Sequence, residues 1–188
     1  MLMQRLWVSG YRSYELNIFN DNDKRIEVIK YALKKQLKTL LDNNQLDWII
    51  TGANLGVEQW AIEAGAELAA DYDLRIAMIT PYTNFSQRWN EKNQLHYQEL
   101  KEEVDFYAAV SNQPYQNPQQ LKNYQQFMFN HTDQALFVYD TEHPGKPHYD
   151  YDFIKNSQKD KSFELQLIDF YDLQDSAQEY LEASENNF

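Results

Sequence analysis

Cysteine is absent from the 188 residues, which excludes disulfides and thiolate chemistry without fixing a compartment. No apolar run approaches the roughly 18 residues that begin to suggest a membrane span. The segment Met1 to Gly10 also lacks a basic leader before a long apolar core and a small-residue cleavage site. A cytoplasmic protein with no membrane insertion is the expectation. Neither Gly-Lys-Ser nor Gly-Lys-Thr occurs, so there is no P-loop, and no serine sits in a nucleophile elbow to support a hydrolase triad. His96, His131, His143 and His148 are not set at the i, i+4 spacing of zinc enzymes, and no metal site is expected. His131 shares a helical face with Leu121, Tyr124 and Met128, while His143 and His148 flank a Pro-Gly-Lys-Pro turn.

Positive charge is scarce: 17 Lys and Arg stand against 29 Asp and Glu, for a net charge of −12. Such a chain repels phosphate backbones and anionic lipid surfaces unless a local basic patch intervenes. The sequence shows no such patch, so nucleic acid is not an expected partner. The charge is also uneven. Glu164, Asp169, Asp172, Asp175, Glu179, Glu182 and Glu185 fall in residues 163–188 with no Lys or Arg, leaving −5 on residues 1–162. Aromatic residues are plentiful at 15%, which fits a ring-lined pocket, a partner surface or the core itself. The length and the 43% hydrophobic content fit one domain over residues 1–188, and no internal repeat or low-complexity linker divides it.

Short apolar runs alternate with helix-length segments. Leu6 to Val8, Trp48 to Thr51, Ile76 to Thr80, Tyr107 to Val110, Ala135 to Tyr139 and Phe163 to Ile168 read as strands. Their alternation with helices predicts a Rossmann-like three-layer α/β/α fold with a mostly parallel sheet of about six strands. Continuous apolarity in the first five runs suits strands covered on both faces, whereas Phe163 to Leu167 alternates and belongs at an edge. Helices are predicted from about Lys24 to Leu41 with Asp21 or Asp23 as cap, from Val57 onward, over Asn93 to Glu103, over Pro118 to Thr132, and over Tyr149 to Ser157. A terminal helix around Leu173, Ala177, Tyr180 and Leu181 frays from Ser184 to Phe188.

The most informative stretch runs from Trp48 to Leu68, where an apolar strand passes through a glycine turn into an amphipathic helix. Gly52 and Gly56 remove side chains that would hold a ligand off the backbone, and the first-turn amides of the helix suit an anion. A tight strand-to-helix turn that binds nothing is the alternative. Ligands of open α/β sheets sit beyond the carboxyl ends of the strands. There the sequence places Ser9-Gly10-Tyr11-Arg12, then Gly52 to Gly56 with Glu58, then Thr80-Pro81-Tyr82, and finally Tyr139-Asp140 ahead of Pro144-Gly145-Lys146-Pro147.

Within these segments Gly10 allows close backbone approach, and Arg12 offers a planar fork for phosphate or carboxylate unless Glu15 or Glu58 claims it. Glu58 either complements the helix macrodipole, meets a ribose hydroxyl or acts as a general base. Trp60 lies on the apolar helix face and belongs to the core. Trp89 follows Thr83 to Arg88, a polar loop or broken helix that either closes over a ligand, with Arg88 as a second anion contact, or is simply pinned by the indole.

Taken together these segments resemble the YpsA family of the SLOG superfamily. Its members are Rossmann-like proteins related to the DNA-processing protein DprA and to the lysine decarboxylase-like phosphoribohydrolases. The resemblance rests on Gly10-Tyr11-Arg12, on Gly52 with Leu55 to Ala61, and on Thr80-Pro81-Tyr82 with Trp89. It continues through Pro114-Tyr115 with Pro118 and Gln120, and through Tyr139-Asp140 to Tyr149. It implies a Rossmann-like sheet and a pocket for a nucleotide or nucleotide-derived ligand such as ADP-ribose or NAD. In such a pocket the residues' own chemistry suits Gly10, Gly52 and Gly56 to a cradle, Arg12 to phosphate, Glu58 to ribose, and Tyr82, Trp89 or Tyr139 to the base, and the leading expectation is a sensor or regulatory module.

An N-glycosidase like the phosphoribohydrolases, using Glu58 or Asp140, is the second reading. The Pro-Gly-Gly-x-Gly-Thr block of those enzymes is here reduced to Pro144-Gly145. The third reading is an interaction module that meets cell-division or envelope-growth proteins through the acidic segment 169–188. The single-stranded DNA binding of the DprA relatives needs a basic groove that this chain lacks.

Overall fold

The computed structural model describes residues 2–186. Six parallel strands, β1 (Arg5–Gly10), β2 (Trp48–Thr51), β3 (Arg75–Thr80), β4 (Phe106–Ala109), β5 (Gln134–Val138) and β6 (Glu164–Ile168), form one sheet in the order β4-β3-β2-β1-β5-β6. Between them run α1 (Lys24–Asp42), α2 (Val57–Ala69), α3 (Glu91–Glu103), α4 (Gln119–Asn130) and α5 (Pro147–Ser157), and α6 (Phe170–Glu185) follows β6. The result is the Rossmann-like three-layer α/β arrangement that the alternation predicts. Right-handed crossovers send helices to opposite faces when the strand order reverses. Accordingly α1 touches α2 and α6, α2 touches α3, and α4 touches α5 across the sheet.

The central strands are apolar because helices cover both faces: Leu6, Trp7, Val8, Leu136, Phe137 and Val138 are almost wholly buried. Burying side chains of this size stabilises by roughly 1.5–3 kcal/mol each. From α1 the stripe Ile26, Ile29, Leu33, Leu37 and Leu40 closes one face, and Asp23 caps the helix by accepting the Arg25 N–H at 2.9 Å. Lys30, buried between α1 and α2, is held by Glu67 at 3.0 Å and Glu63 at 3.4 Å.

Several boundaries depart from the sequence reading, each for a local reason. The first turn of α3 begins at Glu91 because Asn90 accepts the Asn93 N–H at 2.9 Å. At the start of α5, Pro147 occupies the first helical position, where its missing N–H costs nothing. The last helix begins at Phe170, set by a reciprocal box between Asp169 and Asp172, and continues through Ser184 to Glu185. Asn187 and Phe188, where fraying was also expected, lie outside the described residues.

The sixth strand is an edge, as its alternation predicts, but β4 is the other edge despite its continuous apolarity. Lys101 over the Tyr107 ring at 4.0 Å and Tyr97 edge-on to it cover that side chain of β4. The acidic α6 docks on α1, where Lys35 meets Glu179 at 2.7 Å and Tyr31 stacks edge-on against Tyr180. No helix among the described residues is long and apolar enough to cross a membrane.

Candidate functional site

In a doubly wound sheet the crevice opens where the strand order reverses, here between β1 and β5. That crevice is plugged. Tyr11, directly after β1, is buried with its hydroxyl donating to the His143 carbonyl at 2.6 Å and accepting from the Asp140 N–H at 3.0 Å. Its ring meets Tyr139 and Phe170, and burial pushes its phenol up to about 12. Asp140 is equally engaged, accepting the Glu142 N–H at 2.8 Å and the Phe170 N–H at 3.3 Å, and these backbone donors hold its carboxyl below the ordinary range. Tyr139 is buried against Tyr11 and Tyr151.

A cavity of about 640 Å³ opens instead beyond β1, β2 and β3. Arg12 and Tyr14 come to it from the loop after β1, and Gly52, Asn54 and Glu58 from the β2–α2 turn. Pro81, Tyr82 and Phe85 follow β3; Leu121, Lys122 and Tyr124 come from α4, and Lys146, Tyr149 and Asp150 from the start of α5. Of the residues read from the sequence, Arg12, Gly52, Glu58, Pro81 and Tyr82 therefore meet here. Gly10, Tyr11, Gly56, Thr80, Trp89, Tyr139, Asp140 and Gly145 stand behind the wall. Thr80 ends β3 and is buried. Trp89 sits edge-on to Phe85 and Tyr97 inside the smaller hydrophobic cluster, so the Thr83–Arg88 segment is pinned by its indole.

The glycine turn acts as a weld between two loops. Gly56 has φ +119°, which L side chains rarely adopt, and a Cβ there would stand 2.5 Å from the Ser13 nitrogen and 2.6 Å from the Tyr11 carbonyl oxygen. Its flanks complete the junction: Ser13 N–H donates to the Leu55 carbonyl at 3.0 Å, and Val57 N–H to the Tyr11 carbonyl at 3.1 Å. The room left by these glycines is thus filled by protein, contrary to the expectation of a bare cradle. At Gly52 the occupants are the Glu58 carboxylate and the Tyr124 hydroxyl; at Gly10 they are Val57 and the Val138 carbonyl; at Gly145 they are Glu15 and Tyr11.

Glu58 is buried, and its carboxylate accepts from Ser9 Oγ at 3.1 Å and from the Asn54 N–H at 2.7 Å. It therefore lashes the β2–α2 turn to the end of β1, and Gln59 adds a bond from its Nε2 to the Ala53 carbonyl. Glu15, which the sequence offered only as a rival for Arg12, accepts the backbone N–H of both Arg12 and Lys146 at 2.6 Å. With its backbone so clamped, the Arg12 side chain is free: Nη1 donates to the Gly10 carbonyl at 3.1 Å, and no carboxylate pairs with the guanidinium among the described residues. Lys122 and Lys146 likewise have no ion pair among those residues.

Two further cavity groups went unread in the sequence. Tyr124 is buried on α4 with its hydroxyl unpartnered, a situation that costs on the order of 1–3 kcal/mol. Only its apolar helical spacing was visible beforehand. Asp150 on α5 accepts from Gln125 Nε2 at 2.7 Å, and burial pushes its carboxyl up to about 6 despite Arg12 nearby. Because the fold disfavours the ionised form, the penalty is absent below about pH 4, grows as pH rises toward 6, and is complete above it. Asp150→Asn is expected to raise stability at pH 7.5 by up to about 3 kcal/mol and by less than about 1 kcal/mol at pH 4. Denaturant titration at both pH values checks this, and equal effects at the two would refute the assignment.

A parallel six-stranded sheet with helices on both faces, and a cavity past its strand ends lined by Arg12, Lys122 and Lys146 together with Glu58, Asp150 and aromatic rings, places the chain among the Rossmann-like three-layer α/β proteins. The chain belongs to the YpsA family, whose sequence model, described as "YspA SLOG family", matches residues 6–173. It is similar to a UPF0398 protein of Lactobacillus helveticus, 63% identical over 186 residues that cover 99% of this chain and 98% of the relative. A UPF0398 protein of Lactobacillus acidophilus is 58% identical over 185 residues, covering 98% of this chain and 99% of that one. One of Lactiplantibacillus plantarum is 54% identical over 187 residues, covering 99% and 98%.

Proposed function

We propose that the protein binds a nucleotide-derived small molecule, of the ADP-ribose or NAD kind, in the cavity beyond β1, β2 and β3, and acts as a sensor or regulatory module. The observation that carries this reading is charge. In a chain of net charge −12, three cations without ion pairs among the described residues, Arg12, Lys122 and Lys146, line one cavity. A guanidinium that forms no ion pair among the described residues, although Asp150 is near enough to feel it, suits an external anion, and its planar fork suits phosphate. Opposite lies a cluster of rings, Tyr82 against Phe85 at 5.5 Å and Tyr115 at 5.1 Å, as a wall for a base. Binding is favoured over glycosidic cleavage because Glu58 and Asp140, the acids first considered for that chemistry, are occupied by backbone and hydroxyl donors.

Thermal unfolding in the presence of AMP, NAD, ADP-ribose and cyclic dinucleotides tests the proposal. Ligand at a hundred times its Kd adds about 2.7 kcal/mol, a rise of about 5–10 °C for a chain of this size. Arg12→Ala removes only one side-chain bond of the fold. It is expected to leave Tm nearly unchanged while weakening binding about 10- to 100-fold, the worth of a charge-assisted hydrogen bond. No shift across the panel would overturn the reading.

A further inference from the structure

Two polar groups in the cavity are left unused by the fold. The Tyr124 hydroxyl is buried and has no partner, and the side chain that carries it is 9% exposed. The other buried orphan among the described residues, Trp7 Nε1, lies in the core edge-on to Phe137 and faces no cavity. Asp150 engages Gln125 through Oδ1 alone, so Oδ2 remains available. Both residues line the cavity, and both feel Arg12 and Glu58 electrostatically.

The place is narrow and defined: a Cβ on Gly52 would stand 2.5 Å from Glu58 Oε2 and 2.7 Å from the Tyr124 hydroxyl. Desolvation pushes the Tyr124 phenol far up, so the hydroxyl stays protonated and seeks an acceptor. An ionised Asp150 seeks a donor. A phosphate answers only the first demand and would face two carboxylates. A sugar hydroxyl answers both, since it donates and accepts at once, and a vicinal diol satisfies the two groups together. The location also fits the strand order: Arg12 and Lys146 reach the cavity from the loops after β1 and β5, Tyr82 and Phe85 from the loop after β3, and Gly52, beside the Tyr124 hydroxyl, from the turn after the intervening β2.

Resting on the nucleotide reading above, we infer that Tyr124 and Asp150 form a ribose-diol subsite, the Tyr124 hydroxyl donating to one sugar oxygen and Asp150 Oδ2 accepting from the neighbouring hydroxyl, so that the protein selects ribonucleotides over deoxyribonucleotides. Glu58, the residue first assigned to ribose, is then the support behind the subsite and not its contact.

Calorimetric titration of the full chain with AMP, 2′-deoxy-AMP and 3′-deoxy-AMP tests the inference. The wild type is expected to bind AMP at least tenfold more tightly than either deoxy analogue. Tyr124→Phe and Asp150→Asn, whose folding is checked by their Tm, are each expected to bring the ratio close to one for a single deoxy analogue, the one that lacks the oxygen touched by that side chain, and to preserve the ratio to the other. Equal affinity of the wild type for AMP and the deoxy analogues overturns the subsite while leaving nucleotide binding in place. So does a ratio that survives in both variants, or a loss of affinity for all three ligands alike in them. Failure of AMP, NAD and ADP-ribose to bind at all overturns the parent reading and the subsite with it.

Discussion

Gly56→Ala is expected to destabilise the protein by about 3–5 kcal/mol, combining a backbone conformation that costs a side-chain residue roughly 1–3 kcal/mol with a steric conflict of similar size. For a chain of this length that lowers Tm by about 10 °C or more. The conflict cannot relax, because the new Cβ would meet the Ser13 nitrogen and the Tyr11 carbonyl, both backbone atoms fixed by hydrogen bonds to Leu55 and Val57. Gly65→Ala provides the contrast within the same helix. Its Cβ would meet only the ends of the flexible Ile49 and Ile76 side chains, at 2.9 and 3.0 Å, and its expected cost is within about 1 kcal/mol. Guanidinium titration of both variants decides the matter. A Gly56→Ala protein within 1 kcal/mol of wild type would show that the two loops are not welded at this point.

That weld explains what was legible in the sequence and what was not. The strands and helices announce themselves through period: the stripe from Ile26 to Leu40 and the apolar runs around Trp7, Ile49 and Phe137 give the architecture directly. The block Leu55 to Ala61 is also visible as a motif, but the structural work of its residues is not. Leu55, Gly56 and Val57 hold the loop after β1, Glu58 and Gln59 hold their own turn, and Trp60 enters the core.

Side chains that join elements far apart in the chain leave no periodic trace. Glu15, which clamps Lys146 across 131 positions, shows in the sequence only as a rival for Arg12, and Gln120, whose amide closes the turn at Ser111 and Pro114, shows only as part of a motif without its role. Tyr124 is camouflaged further, since a tyrosine at helical spacing with Leu121 and Met128 reads as core until its hydroxyl is found without a partner. Likewise the plugging of the β1–β5 crevice by Tyr11 follows from tertiary geometry alone, so Tyr139 and Asp140, expected at a ligand, are found packed against or bonded to Tyr11.

Glu58→Ala is expected to cost about 2–4 kcal/mol, because it strips the acceptor from the Asn54 N–H and the Ser9 hydroxyl and leaves a void in a buried place. Glu58→Gln keeps the volume and one carbonyl oxygen for Asn54, while Ser9 can turn its hydroxyl to accept from the new amide, so its cost is about 1 kcal/mol. The order wild type, Gln, Ala in denaturant midpoint is the signature of a positioning role. Ligand binding separates that role from direct contact. If Glu58 acts by holding the turn, the Glu58→Gln protein retains AMP affinity within a factor of about three, and the alanine variant loses affinity in step with its loss of structure. A Glu58→Gln protein that is stable yet binds AMP tenfold more weakly would place this carboxylate on the ligand instead. The two substitutions therefore test whether the residue that most invites a chemical role serves chiefly to aim Arg12 and its neighbours, by fixing the turn against the end of β1 from which Arg12 projects.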